Sequence, residues 1–241
     1  MHHHRSTIKN TLGAALVILL QCGIFAEEIS FRADRMTGTA GKKSETTTLI
    51  GDAFVRTTSM EISADRIELS GKDFRYISAS GNVRGINTES ALDFTCKDML
   101  YDRRTKVATL RNSVSMLDTA NDVTVRAQLI EYNQTSDIAD IQIDVDIRQK
   151  DNICTGGMAV YDKGRQTLKL TGNPKLVQNE DTFRAQEIML NLDTQEITLD
   201  GRVSGTVTDT KEEKAQETVT EETALEKEEE YAPEEAEDEA R

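Results

Sequence analysis

The sequence predicts an all-β protein: an elongated, folded-over antiparallel sheet built from about six two-strand repeats. Three observations predict it. A unit of about 30 residues recurs across 27–207, apolar and polar side chains alternate within each unit, and polar hairpin sequences join its two halves. Residues 1–26 instead predict a signal peptide, and 208–241 an acidic low-complexity tail.

The first residues have the features of an export signal. Arg5 and Lys9 precede an apolar run over 12–20, and no acidic residue occurs before Glu27. The run is too short for a stable membrane anchor, so we expect a cleaved signal peptide with the cut after Ala26. Lipid attachment at Cys22 is the less favoured alternative, because a small residue normally precedes a lipidated cysteine.

Charge and histidine content exclude several function classes. Of the net charge of −14, the segment 209–241 contributes −11 through 15 acidic and 4 basic residues. The repeat region is therefore only mildly acidic and has no electrostatic footprint for nucleic acid. All three histidines lie within 2–4, so histidine-based catalysis and His-ligated metals are excluded for the mature chain.

The first half of each unit contains a parity skip. Phe94 and Cys96 are at even positions and would lie on one face of a regular strand, while Met99 and Tyr101 are at odd positions and would lie on the other. One extra residue reverses the faces of a strand, so the skip predicts a bulge or corner at one place in every unit. The units begin near Phe31, Ile62, Phe94, Val125, Cys154 and Phe183.

The second half of each unit predicts a strand with one apolar face. Ile141, Ile143, Val145 and Ile147 alternate with polar residues, and we expect all four on the interior side. Gly-Asn pairs recur in this half at 81–82 and 172–173. Recurrence at one place in the repeat favours a structural bend over a binding loop. The joining sequences 102–105, 133–136, 162–164 and 193–195 are rich in Asp and Asn, which suits hairpin turns.

Few residues suggest chemistry. Asp34 and Asp65 lie in Ala-Asp-Arg triplets, and a solvated corner with a local ion pair is favoured over a paired charge site. Cys96 and Cys154 suit either a disulfide or two small buried apolar positions. The sequence contains no phosphate loop, serine elbow or metal-ligand spacing, so we predict no enzyme, no cofactor and no metal site.

The recurring motifs resemble those of the LptA/OstA family of periplasmic lipopolysaccharide-transport proteins. Ala64-Asp65-Arg66 is followed by Ala79-Ser80-Gly81-Asn82-Val83, and the unit recurs in Tyr161-Asp162, Leu170-Thr171-Gly172-Asn173 and Phe183-Arg184-Ala185-Gln186. The similarity covers roughly 29–207. It implies a β-jellyroll in the periplasm that holds acyl chains in its interior and stacks end to end. The acidic tail departs from the family pattern.

The resemblance also implies partners and a binding surface. The partners would be lipopolysaccharide or another outer-membrane glycolipid, inner- and outer-membrane transport components with OstA-like folds, and other copies of the chain. The residues expected to line an apolar groove are Ile62, Ala64, Ile77, Val83, Phe94, Leu110, Val114, Val125, Ile141, Ile143, Leu168, Leu170, Phe183, Ile197 and Leu199.

Two function classes remain open at this point. The first is a lipid carrier, and the second is a non-enzymatic scaffold with a dry core that assists outer-membrane assembly through its strand edges and tail. A hydrolase is a distant third. A cavity continuous along the interior would favour the carrier, and a filled interior the scaffold.

Overall fold

The computed structural model describes residues 28–39 and 46–208. The chain divides into two units after Thr206, and of the second unit only Val207 and Thr208 are described. The predicted signal peptide, the lipidation alternative at Cys22 and the acidic tail beyond 208 lie outside the described residues. Among the described residues, no helix has the length and apolar character needed to cross a membrane.

The first unit is all-β, as predicted, and its strands form one antiparallel sheet. A single 3₁₀ turn, Lys72–Phe74, interrupts the described strands. The strands are β1 Ser30–Arg32, β2 Arg35–Thr39, β3 Thr46–Arg56, β4 Met60–Ser70, β5 Tyr76–Asn87, β6 Leu92–Asp102, β7 Val107–Asp118, β8 Val123–Asn133, β9 Ile138–Gln149, β10 Asn152–Asp162, β11 Thr167–Thr171, β12 Lys175–Gln178, β13 Asp181–Arg184, β14 Glu187–Asn191, β15 Ile197–Asp200 and β16 Ser204–Thr206.

For the long strands β3 to β10 the sheet order follows the chain order, and each of these strands bends near its middle. The strands β3 to β10 are 11 or 12 residues long and each pairs with its sequence neighbours. At both ends of the sheet the long strands are replaced by pairs of half-strands. At the C-terminal end, β11 and β12 pair with the two halves of β10. One half of each strand belongs to layer A, with β1, β12, β13 and β16, and the other to layer B, with β2, β11, β14 and β15.

The bends are two-residue corners in every second strand. At each corner two consecutive residues have positive φ, with φ of 75° at Gly81 and 49° at Asn82. Because only a residue without Cβ adopts such a backbone without strain, glycine is favoured at the first corner position. The corners are Gly51–Asp52, Gly81–Asn82, Asn112–Ser113, Ile143–Asp144, Gly172–Asn173 and Gly201–Arg202.

The parity skip predicted from the first half of each unit is confirmed. Opposite each corner, one residue of the neighbouring strand has no partner in the ladder, as Asp65 has none between Ala64 and Arg66. Lys97 and Gln128 occupy the same place in β6 and β8. A two-residue corner facing a single skipped residue keeps apolar side chains on the inner face of both strands.

The expectation of uninterrupted alternation in the second halves fails at the corner itself. In β9, Ile141, Val145 and Ile147 are buried, but Ile143 is 55% exposed. Ile143 is the first residue of the corner, where the left-handed backbone turns the side chain away from the interior. Because the corner contains two residues, the alternation of inward and outward side chains continues unchanged on its far side.

Asx turns close the hairpins on the layer B side, as the polar joining sequences predicted. The Oδ1 atom of Asp102 accepts from the amide of Arg104, and that of Asn133 accepts from the amide of Thr135, both at 2.9 Å. Asn191 Oδ1 accepts from the amides of Asp193 and Thr194, so this turn begins two residues before the predicted turn 193–195. These side chains satisfy amides that the ladder leaves unpaired.

Candidate functional site: an apolar interior and its polar seam

The inner faces of both layers form one continuous apolar cluster. Twelve of the fifteen predicted groove residues lie on strands β4 to β11, and eleven of these twelve are no more than 7% exposed. The eleven are Ile62, Ala64, Ile77, Val83, Phe94, Leu110, Val114, Val125, Ile141, Leu168 and Leu170. The structure thus brings together side chains that are up to about a hundred residues apart in sequence.

The remaining four predicted residues behave differently. Phe183, Ile197 and Leu199 are partly buried and pack against the cluster at its C-terminal end. Ile143 lies outside the cluster, and the expectation that its side chain faces the interior is wrong for the reason given above. Contact of any of these residues with lipid stays a prediction.

The interior is closed to solvent in this conformation. Its largest side chains, including Tyr161, Leu49 and Ile130, are less than 2% exposed. An acyl chain would therefore need the two layers to separate. Where they would separate depends on what joins them on each side.

On one side the layers are joined by the backbone corners, and on the other by side chains. We call this second side the seam. Here the turns that end layer A, at 57–59, 88–91, 119–122 and 150–151, face the turns that end layer B. Nearly all buried polar side chains of the described residues lie along it: Thr57, Ser59, Asn87, Ser90, Asp118, Gln149 and Asn152.

The first bridge across the seam centres on Gln134. Its Nε2 atom donates to Glu89 Oε2 at 3.0 Å and to Asn87 Oδ1 at 3.4 Å. Glu89 Oε2 also lies 3.8 Å from the Lys106 ammonium, at the preceding layer B turn. The Glu89 and Lys106 side chains are about half exposed, so the outer side of this bridge is in contact with solvent.

The second bridge is a buried charge cluster around Asp118, whose side chain is fully buried. Its carboxylate accepts from Lys163 Nζ at 2.9 Å and from the Tyr161 hydroxyl at 2.7 Å, both across the seam. Asn121 Nδ2 donates to the same carboxylate at 2.8 Å. Burial raises the pKa of Asp118, but the hydrogen bonds from these three groups outweigh it and hold the pKa below its ordinary value.

The third bridge is made of amides. Gln149 Nε2 donates to the Leu192 carbonyl at 3.2 Å, and Gln195 Nε2 donates to Gln149 Oε1 at 3.4 Å. Asn152 donates to Gln195 Oε1 in the same group. The three bridges recur about once per unit, so the seam repeats with the period of the fold.

Sequence reasoning missed the seam, although a signal for it is present. Tyr101, Tyr132 and Tyr161 occupy the same position at the layer B end of the alternate strands β6, β8 and β10, and each is followed by Asp or Asn. All three rings are buried while their hydroxyls donate to Gln134, Asp137 and Asp118. A tyrosine at the end of an apolar stripe combines a buried ring with a polar tip. The recurrence therefore marks a polar boundary of the interior.

The other residues singled out in the sequence have structural roles. Asp65 accepts from Asn82 Nδ2 at 2.9 Å and so holds the corner. Cys96 and Cys154 are buried free thiols, and burial raises their pKa values to about 11 and about 12. Within the ranges 28–39 and 46–208, no group of three or more His, Cys, Asp or Glu residues is placed to hold a metal ion.

Part of the chain is similar to a known protein family. Residues 135–196 match the family model described as LptA/(LptD N-terminal domain) LPS transport protein. The crystal structure of LptH, the LptA homologous periplasmic component of the lipopolysaccharide transport device of Pseudomonas aeruginosa, matches at 12% identity and a TM-score of 0.22, over 76% of this chain and 96% of that one. No curated protein matches the sequence. The family match contains Tyr161-Asp162 and Leu170–Asn173, so it confirms, over residues 135–196, the resemblance to the LptA/LptD N-terminal family that these motifs indicated.

Proposed function

We propose that this protein is a non-enzymatic periplasmic carrier of lipopolysaccharide or a related glycolipid. The observation that carries the proposal is the apolar interior, which continues through all six units between two layers that side chains alone join along the seam. The family match over 135–196 supports it, because the family is described as one of lipopolysaccharide transport proteins.

The energetics of acyl-chain binding favour such an interior. Burying a methylene group contributes about 0.8 kcal/mol, so a chain of a dozen carbons gains roughly 10 kcal/mol before entropic losses. The interior is lined by Val, Ile, Leu and Ala side chains. No catalytic group is needed for a lipid to move along it.

We infer that lipid enters through the seam. Separating the layers at the corners would require breaking backbone ladders in several strands at once. Opening the seam breaks no backbone ladder: its side-chain bridges exchange for water, at a net cost of about 0.5–1.5 kcal/mol for each neutral hydrogen bond. The apolar surface that the layers expose on separating is covered again by the acyl chain that enters. The amide bridge at Gln149 and the half-exposed bridge at Glu89 are the easiest of the three to open.

Site-specific photo-crosslinking in cells tests the proposal. A photo-reactive residue at Leu170, which is fully buried, should trap an amphipathic glycolipid. The matched control is the adjacent Lys169, on the same strand with its side chain on the outer face. A lipid adduct at Leu170 and none at Lys169 supports the carrier. Adducts to protein alone at Leu170, or equal lipid adducts at both positions, contradict it.

The strand edges suggest how the carrier meets its partners. Among the described strands, β1 and β2 pair only with β3, while β15 pairs only with β14 and β16 only with β13. Unpaired edges offer backbone donors and acceptors to another sheet. We propose that transport components with OstA-like folds, or a second copy of this chain, extend the sheet end to end at these edges.

The closed interior also favours a second candidate, a scaffold with a dry core. Side chains that are almost inaccessible throughout the cluster are what a permanently filled core would show. Native mass spectrometry of protein purified without delipidation separates the two candidates. Bound glycolipid supports the carrier, whereas lipid-free protein that still captures an outer-membrane assembly partner supports the scaffold.

A further inference from the structure

One cavity of the described residues has a chemistry unlike that of the interior. It lies between the 3₁₀ turn that follows β4 and the hairpin turn that follows β6, and its volume is about 440 Å³. The lining residues are Lys72, Asp73, Arg75, Arg103 and Arg104. The volume is sufficient for a small ligand or a lipid head group.

The cavity concentrates positive charge in a mildly acidic part of the chain. Four of its five lining side chains are cationic, whereas the repeat region as a whole is mildly acidic. Lys72 and Arg104 are exposed, and neither forms an ion pair with another described residue. Like charges that are placed together repel one another and attract an anion.

The remaining cations are fixed in place. Arg75 donates from Nε to Asp102 Oδ1 at 2.9 Å, and a second bond joins its Nη2 atom to the other carboxylate oxygen. Asp102 in turn accepts from the Arg104 amide. Arg103 Nη1 donates to the Asp73 and Phe74 carbonyls at 2.9 and 3.1 Å. Both turns are therefore held together, so the two unpaired cations project from a preformed frame.

The corresponding turns further along the sheet do not share this charge. In the turn after β10, Lys163 is bonded to Asp118 and Arg165 lies 3.6 Å from Asp162. The turn 133–137, after β8, contains no cation. The fold can therefore close these turns without a basic cluster, and the cluster between β4 and β7 requires another explanation.

The position of the cavity relates it to the seam. Its two turns end layer B, and Lys106, at the end of the second turn, faces Glu89 of layer A across the seam. A ligand group bound here would lie at the rim of the apolar interior.

We propose that this basic cavity binds a phosphate monoester, with Lys72 and Arg104 as the groups that pair with its oxygens. Guanidinium and ammonium groups bind phosphate oxygens through short charge-assisted hydrogen bonds. Both a phosphorylated lipid head group and free phosphate have this chemistry. We assign the lipid head group, because one of the two turns that line the cavity ends at Lys106, which faces Glu89 across the seam. This assignment of the source rests on the proposed carrier function, whereas the phosphate site itself does not.

Amide NMR shifts of the full mature chain test the site. The probes are inorganic phosphate, phosphatidylcholine micelles doped with phosphatidic acid, and undoped phosphatidylcholine micelles. We expect phosphate and doped micelles to shift the amides of Lys72, Asp73 and Arg104, and the K72Q/R104Q double variant to weaken both interactions about tenfold or more. Undoped micelles should leave these amides unchanged.

A second double variant, R148Q/K169Q, is the matched control. It removes the same charge from two cations that are half exposed and lie in ion pairs elsewhere on the sheet. Equal weakening in both double variants, or shifts spread over the whole surface, would overturn the site. A response to inorganic phosphate alone would retain the site and overturn the lipid head group as its source. Failure of crosslinking at Leu170 would contradict the carrier and leave the phosphate titration unaffected.

Discussion

The two lines along which the sheet folds over are built in opposite ways. At the corners the layers are joined by continuous backbone, with positive φ at two consecutive residues of every second strand. At the seam they are joined by side chains, and the second bridge is the only one that is both buried and charged within the described part of the chain. The comparison indicates that the corners set the geometry of the fold, while the seam controls access to its interior.

The contrast extends to the kind of residue each line can tolerate. The stability of a corner depends on the backbone preference of a single residue and not on the charge of its side chain. A seam bridge is sensitive to the removal of one polar partner, because the other then stays buried without compensation. Substitutions at equivalent positions should therefore act through different mechanisms, and the predictions below are arranged by the size of the effect.

The largest effect is expected at the charged bridge. Asp118→Ala leaves the Lys163 ammonium and the Tyr161 hydroxyl without their buried acceptor. Breaking a buried pair by removal of one partner typically costs about 3–5 kcal/mol. Urea unfolding followed by circular dichroism should show a loss of this size in the free energy of unfolding.

The control for this prediction is Asp146→Ala. Asp146 pairs with Arg148 in a half-exposed ion pair on the outer face of β9. Exposed pairs contribute little because water and salt screen them. If the two variants lose the same stability, the seam bridge has no special role and the comparison with the corners fails.

A smaller effect is expected from pH, at both ends of the scale. The pKa of Asp118 is lowered in the folded state, so its stabilisation is present above the unfolded pKa of about 3.9 and is lost as pH falls through the folded value. Burial and the neighbouring Asp118 raise the pKa of Tyr161, so its stabilisation is present below about pH 10 and is lost as pH rises above it.

The measurement is the urea midpoint as a function of pH. The wild-type midpoint should fall below about pH 4 and again above about pH 10. Asp118→Asn should flatten the acid side, and Tyr161→Phe the alkaline side. Profiles for the two variants that parallel the wild type would show that other groups determine the pH dependence.

Much of the fold was predictable from sequence, because alternation and the parity skip are direct consequences of strand geometry. Phe94, Cys96, Met99 and Tyr101 are all buried despite the change of parity between the pairs, as the skip requires. The corner at Asn112–Ser113 was not predictable, since neither residue has the strong left-handed preference that glycine has at 81.

The site was only half predictable for a related reason. The apolar face of each strand is visible in the sequence, so most groove residues were found. The seam depends on which turns meet when the sheet folds over, and its partners are more than 40 residues apart, as for Asp118 and Lys163. Alternation within a strand contains no information on such a pairing, although the recurring tyrosines mark its position.

A moderate effect is expected at a corner. Gly81→Ala places a Cβ on a residue with φ of 75° and against the Asp65 carboxylate, which should cost about 1–2 kcal/mol. The control is Gly164→Ala, where the nearest atom to an added Cβ is Asp162 Oδ1 at 3.7 Å. Chemical denaturation of both variants checks the prediction, and equal stability for the two would argue against a strained corner.

The smallest effect is a gain in stability at the corner that lacks glycine. Ile143 is β-branched, has φ of 67° and is 55% exposed, so it gains little from burial while its backbone is strained. Ile143→Asn supplies a residue that tolerates this conformation, as Asn112 does at the preceding corner, and should raise the free energy of unfolding by about 0.5–1 kcal/mol. Met158→Asn is the matched control, because Met158 is 53% exposed but is not among the residues of positive φ. A gain in both variants would show that replacing an exposed apolar side chain is stabilising whatever its φ. A loss at 143 would mean that the isoleucine has a stabilising contact at the corner that outweighs its backbone strain.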